Sequence, residues 1–298
     1  MFQLFNILKV ILMHPLVKGN KLFAISNFFR FQLSSRIFGS PIVINWVDDI
    51  YVATSHGDSG MTGNIYCGLF EFKEMTFLMH YGNCCDTFYD IGANVGAYSL
   101  LASGVLGMHT VCFEPVGATY ERLIRNINLN GLSHLIDARK IGVSDEDGIL
   151  YFSESFNCTN KVVDADIHSL SQEAHVIALD SHFIPTSPSI VKIDVEGFEK
   201  YVLSGGYSFF NSDLVKVLII ELNGSGSAYG IKDSDIYSLI CSFGFKMISY
   251  DSFHKTVDMI STLDSGGNAI FVKDLSDVLN RLSSSKLFTI HTANDMII

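Results

Sequence analysis

Thr87-Phe88-Tyr89-Asp90-Ile91-Gly92-Ala93-Asn94-Val95-Gly96 runs from an apolar segment into a glycine-bracketed turn, and a helical pattern follows over 96–106. A strand over 87–92, a tight turn and a helix make the opening unit of a doubly wound sheet, whose ligands sit beyond the carboxyl ends of the strands. Gly92 and Gly96 allow a sharp backbone turn and close approach of a ligand at a helix N-terminus. The spacing is G-x-x-x-G, not the G-x-G-x-x-G that makes room for a pyrophosphate. The next strand, 109–114, ends on Glu114, 22 residues after Gly92, where a carboxylate accepts hydrogen bonds from both hydroxyls of a ribose. An adenosine without a pyrophosphate fits the pair. S-Adenosylmethionine has that shape, and its cationic sulfonium and ammonium suit a pocket with carboxylates such as Asp90 and Asp194.

The alternation continues outward from this unit. Helix 119–130 closes at Gly131, and strands 136–143 and 190–195 follow. Helix 197–210, strand 215–222 and helix 233–243 come next, then strands 245–250 and 268–273, antiparallel to each other. The pattern predicts an α/β architecture, a doubly wound, seven-stranded Rossmann-like sheet covered on both faces. Residues 144–189 are polar and interrupt it; they read as an insertion with short strands at 149–152 and 176–179, placed to act as a lid. Upstream, IVINWVDDIYVATS (42–55) has two alternating runs joined at Asp48–Asp49, a β-hairpin. The resulting plan is helices in 1–40, a hairpin and lead-in in 41–83, the α/β domain in 84–273 and a tail in 274–298.

Composition narrows the class. The chain has 298 residues, 48% of them apolar and 17% charged, with 5 prolines, which excludes a disordered or low-complexity protein. A net charge of −11 makes nucleic acid a poor partner, because that affinity rests on neutralising phosphates. Residues 1–47 nevertheless hold Lys9, Lys18, Lys21, Arg30 and Arg36 and no acidic residue, a basic arm on an acidic body. Helical patterns over 2–13 and 22–37, broken at Pro15 and Gly19, carry seven phenylalanines with their flanks. This arm either caps the core or touches a membrane surface. The 2–13 stretch is far under the roughly 20 residues that span a bilayer, and it lacks a basic start and a small-x-small cleavage site. Six cysteines without a C-x-x-C pair read as reduced thiols. The expected location is cytoplasmic, with association at the inner membrane surface through residues 1–40 as an option.

Several segments together resemble the FkbM-type methyltransferases, a branch of the class I S-adenosylmethionine-dependent fold. They are MTGNIYCGLFEFKEM (61–75), FYDIGANVGAYSLLA (88–102), FEP (113–115), NINLNGL (126–132), IGVSDEDG (141–148), IVKIDVEGFEKYVLSGG (190–206) and LIIELN (218–223), in the family's order. The resemblance implies that Asp90, Gly92, Asn94 and Gly96 cradle the amino-acid half of S-adenosyl-L-methionine. Glu114 would hold the ribose, and Ser144 and Asp145 would lie by the adenine. Asp194 and Glu196 would sit where the methyl group meets its acceptor. The acceptor implied is a hydroxyl on a sugar, glycan or secondary metabolite, hence O-methylation.

Methyl transfer to an alcohol needs alignment and a base. Asp194 or Glu196 is the first expectation for the base, with His168, His175 and His182 behind them. Glu221 and Asn223, at the end of the adjoining strand, either line the substrate pocket or join Asp194 around a metal; the first reading, with no metal, is preferred. The rival functions are an NAD(P)-dependent oxidoreductase on a similar sheet and an inactive module that binds cofactor without turnover.

Overall fold

The structure is a computed structural model that describes residues 2–39, 41–55, 58–153, 162–163, 171–263 and 266–298. It begins with helices α1 (Phe2–Met13) and α2 (Lys21–Phe38). Pro15 opens a short 3₁₀ turn between them, Asn20 caps α2 by accepting the Phe23 N–H, and Gly39 ends α2 in the left-handed region. Strands β1 (Ile42–Val47) and β2 (Ile50–Thr54) form the hairpin across Asp48–Asp49. Two helices that the sequence pattern did not reveal, α3 (Ser59–Cys67) and α4 (Phe72–Tyr81), then lead to the sheet.

The sheet starts with β3 (Thr87–Ile91), α5 (Ala97–Leu100), β4 (His109–Phe113), α6 (Gly117–Leu129) and β5 (Ile136–Arg139). The insertion contributes β6 (Gly142–Ser144), β7 (Gly148–Ser153), β8 (Val162–Val163) and β9 (Ser171–Ala178), followed by α7 (Leu179–His182). The chain re-enters the sheet with β10 (Ser189–Ile193), α8 (Glu199–Gly205), α9 (Tyr207–Asn211), β11 (Val215–Glu221) and α10 (Asp233–Ser242). It closes with β12 (Lys246–Asp251), β13 (Thr256–Met259), β14 (Asn268–Val272), α11 (Leu275–Ser283), β15 (Thr289–Ile290) and β16 (Met296–Ile297).

The central order is β13-β12-β14-β11-β10-β3-β4-β5, parallel from β11 to β5, with β14 running antiparallel between β11 and β12. This is an α/β, doubly wound sheet of the kind expected from the sequence. Successive residues of each strand feed opposite cores: Phe88, Cys112, Val217 and Ile219 pack on one face, and Tyr89, Val111, Leu218 and Ile220 on the other. Among the described residues no helix is long and apolar enough to cross a membrane.

Three local expectations are corrected. The sheet has eight strands rather than seven, because the chain turns back after β12. Asp251 accepts the Phe253 and His254 N–H groups, and Lys255 takes a positive φ of 53°. The added strand β13 is a mostly exposed edge, so it has no apolar alternation to betray it. Strand 136–143 is two strands: β5 stays in the main sheet, while β6 pairs with β9 in the insertion's own sheet, β6-β9-β7-β8. Helix 197–210 breaks at Gly206, where Asp180 takes the Ser208 and Phe209 N–H groups and starts α9 afresh.

The residues after Lys273, read as a tail, are part of the N-terminal layer. Asp274 caps α11, and Arg281 ion-pairs with the buried Asp86 and with Asp277. Strand β15 joins β1 in the sheet β16-β15-β1-β2, and the Asp48 carboxylate accepts the Thr289 N–H. Trp46, the single tryptophan, is fully buried here and donates to the Gly68 carbonyl at 2.6 Å. Ile290 is also fully buried in the same core. Ile290→Ala should therefore cost about 2–5 kcal/mol of stability, read as a lower urea midpoint in Trp46 fluorescence; an unchanged midpoint would show that the C-terminal strand is not integral to the fold.

Candidate active site

Two adjoining cavities open at the carboxyl ends of β3, β10 and β11. The larger, about 170 Å³, is walled by the Gly92–Val95 turn, Ala97, Tyr98, Lys192, Asp194, Glu196 and Glu221, and roofed by Gly60, Asn64, Phe70, Glu71 and Met75 from α3, α4 and their link. The smaller, about 70 Å³, holds Glu114, Pro115, Val116, Thr119, Val195 and Phe152 of β7. Gly92, Asn94, Asp194 and Glu196 belong to both.

The turn between them is tight. Gly92, Asn94 and Gly96 all have positive φ, at 83°, 53° and 93°. A Cβ on Gly92 would lie 1.9 Å from the Asp194 carbonyl oxygen, and one on Gly96 would lie 2.6 Å from the Leu123 side chain. Packing of strand on strand and of turn on helix thus requires glycine at both positions, and Gly92 also lines both cavities. Asp90 lies beneath the cavity floor rather than in its wall: its Oδ2 accepts the Ser99 N–H and hydroxyl, bracing α5, and its Oδ1 is buried without a hydrogen-bond partner. Glu114 does reach a wall. Its carboxylate accepts the Asn94 and Val116 N–H groups, and burial pushes its carboxyl up to about 7.

Lys192, unremarked in the sequence reading, organises the larger cavity. Period-two geometry puts Lys192 and Asp194 on one side of β10, and the register sets Lys192 beside Asp90. Its Nζ lies 2.9 Å from Asp194 Oδ2 and 4.8 Å above the Tyr98 ring. Burial opposes its charge, but Asp194, Asp90 and Glu71 outweigh burial and hold the ammonium above its ordinary range. Tyr98 in turn donates to Glu71 at 2.5 Å. Asp194 does not cap the next helix, whose N-terminus has no side-chain cap; Glu199, its first residue, instead accepts the Val195 and Gly197 N–H groups of the preceding turn, where Glu196 and Gly197 take positive φ.

Oxygens of Asp194, Glu196 and Glu221 lie within 4.8 Å of one another. Burial first, then Asp194 and Glu196, push the Glu221 carboxyl up to about 8, and its Oε2 is buried without a hydrogen-bond partner. Three hard oxygens at that spacing have the chemistry to hold a divalent cation. Asn223 is not with them; its side chain accepts the Ser225 N–H. Ser144 and Asp145 hydrogen-bond to each other at 3.0 Å and line neither cavity. His175 is exposed on β9, His182 pairs with Asp147 at 2.8 Å, and His168 lies outside the described residues. The insertion reaches the smaller cavity through Phe152, and its Val162 carbonyl accepts the Tyr229 hydroxyl.

A cationic cofactor fits these residues. The orphaned oxygens of Asp90 and Glu221 and the crowded carboxylates each gain from a nearby positive charge. Glu114 stands in the smaller cavity, where the ribose was expected.

Comparison with known proteins gives the same direction. A family model described as the methyltransferase FkbM domain matches residues 90–247. The chain is 28% identical over 158 residues to the hexuronic acid methyltransferase AglP of Haloferax volcanii, a match spanning 52% of this chain and 61% of that protein. Among solved structures, the putative tRNA (m1A22) methyltransferase Sp1610 of Streptococcus pneumoniae in complex with S-adenosyl-L-methionine is 14% identical over 69% of this chain and 76% of that one, with a TM-score of 0.38. TYW2 of M. jannaschii in complex with AdoMet is 13% identical over 79% and 87%, also at 0.38. Structural likenesses of that size carry no weight of their own. With more than half its length matched by the family model, the chain belongs to the FkbM methyltransferases, a family whose methyl donor is S-adenosylmethionine.

Proposed function

We propose that this chain methylates a hydroxyl oxygen of a sugar, free or within a glycan. The observation that carries the reading is the meeting of Asp194, Glu196 and Glu221 at one point beside the turn and the Glu114 wall. The likeness to a protein named as a hexuronic acid methyltransferase supports a sugar as acceptor.

The bound donor supplies a methyl carbon already activated by its sulfonium. The chain's part is to seat donor and acceptor in line and to take the hydroxyl proton as the carbon–oxygen bond forms. Glu114, fixed by two backbone N–H groups, holds the ribose with its remaining lone pairs. Gly92 and Asn94 shape the wall for the amino-acid half, Gly96 lets the turn close on α6, and Asp90 braces the wall from below through Ser99. Asp194, paired with Lys192, orients the acceptor together with Glu196. That leaves Glu221 as the base, because a carboxyl at about 8 accepts a proton far more readily than an ordinary one. The sequence expectation of Asp194 or Glu196 in that role thus yields to the neighbouring strand.

A base must be deprotonated, so kcat/KM should rise with pH through about 8. Glu221→Gln should remove that limb and lower kcat/KM by about 10²–10⁴-fold. Lys192→Met should move the limb to higher pH, because the ammonium helps to keep Glu221 ionised. An unaltered profile in Glu221→Gln sinks the assignment, as does activity lost on chelation and restored by a divalent cation.

Stability should follow the same groups. Glu74 and Glu114 are pushed up to about 7 and Glu221 to about 8, in each case chiefly by burial, from an unfolded value near 4.5. Between those limits the folded chain binds more protons than the unfolded one, so stability falls as pH rises from about 4.5 through 8. Urea midpoints across that window should decline, and less steeply with saturating S-adenosylmethionine; parallel curves with and without it would mean that the cation does not meet these carboxylates.

A further inference from the structure

We propose that the outward face of α2, with the end of α1, seats on an anionic lipid surface. Of the apolar positions at helical spacing in 22–37, Leu22, Ile25, Phe29, Leu33 and Ile37, the fold leaves four uncovered and Ile25 half-buried: Leu22 is 82% exposed, Phe29 54%, Leu33 63% and Ile37 65%. The opposite side, Ala24, Asn27, Phe28, Phe31 and Ser35, is buried against the body. Helix α1 adds Val10 and Met13 to the exposed set. Contiguous apolar side chains facing water mark an interaction surface rather than ordinary surface scatter.

Charge selects the occupant. Lys21, Arg30 and Arg36 of α2 are exposed, as are Lys9 and Lys18 in the segment before it, and no acidic residue occurs before Asp48. The net charge of the whole chain is −11, so the arm opposes the sign of the body. An apolar stripe rimmed by cations suits acyl chains beneath anionic headgroups. A second copy docking through the same face would set five cations against five, which disfavours a symmetric dimer. A groove of about 350 Å³ runs along the flank of α2 and is lined by Arg30, Asn27, Ser34 and Asn45, whose Oδ1 is buried without a hydrogen-bond partner.

The face is mechanically joined to the active site. Helix α3 packs Ile65 and Tyr66 against α2 and places Gly60 and Asn64 in the larger cavity. Helix α3 therefore links the proposed lipid face of α2 to that cavity.

The test is co-sedimentation of the full chain with vesicles of mixed phosphatidylcholine and phosphatidylglycerol, against phosphatidylcholine alone. The chain should bind the anionic vesicles, and added salt should weaken binding. The triple variant Phe29→Ser, Leu33→Ser, Ile37→Ser should lose at least about tenfold in affinity. Neutralising Lys21, Arg30 and Arg36 to Gln should cost about fivefold per charge. S-Adenosylhomocysteine binding, unchanged in both variants, serves as the control for folding. Equal binding to both vesicle types, or full binding by the apolar triple variant, overturns the proposal. So does a dimer in sedimentation velocity that the triple variant converts to monomer, since the face would then belong to a second copy.

Discussion

A single ammonium group buried among carboxylates conditions the active end of this sheet. Lys192 projects from the middle strand into a cavity rim that also holds Asp194, Glu196, Glu221 and Glu71, with Asp90 directly beside it in register. Negative groups at this density repel one another and resist burial, and the raised carboxyls of Glu114 and Glu221 show that resistance. Lys192 relieves part of it by pairing with Asp194 at 2.9 Å, while Glu221 Oε2 is left without a hydrogen-bond partner. The rim therefore contains two kinds of carboxylate, one neutralised by a neighbour and one short of charge compensation. A cationic donor is the chemical complement of the second kind.

The scaffold that holds this arrangement is drawn from both ends of the chain. Phe70 and Glu71 reach the cavity from the link between α3 and α4, which is locked in place by Trp46 bonding to the Gly68 carbonyl and by Tyr98 bonding to Glu71. Strand β15 extends the hairpin sheet, and Arg281 of α11 ties the C-terminus to Asp86, just before β3. Residues far from the strand ends thus set the shape of the cavity. A change in the N-terminal layer reaches the chemistry through α3 and α4, not through the sheet.

Much of the site was legible because it lies in one contiguous segment or at the tip of a strand. Asp90 to Gly96, Glu114 and Asp194 were found from the position of polar residues at the ends of apolar runs, and Glu221 from the adjoining strand. Lys192 was passed over although period two placed it beside Asp194, because a lysine inside an apolar strand has no meaning until its neighbours are known. Glu71 and Tyr98 were hidden for a related reason: each sits in a segment with no strand-tip signature, and they meet only across the fold, 27 residues apart. Ser144 and Asp145 were placed by the adenine on family resemblance alone; they follow the break in the sheet between Arg139 and Gly142 and line neither cavity.

What the sequence determined alone is the alternation of strands and helices, the glycine-bracketed turn and the acidic strand tips, since each depends on local periodicity and backbone freedom. It also determined that a basic, phenylalanine-rich arm precedes an acidic body. Only the tertiary structure decided that Gly92 yields to the Asp194 carbonyl, that three carboxylates converge within 4.8 Å, and that the apolar stripe of α2 faces outward. Those are matters of which surfaces meet. Helical or strand periodicity groups residues on one face of an element, but which face finds the core is settled by packing with elements distant in the chain.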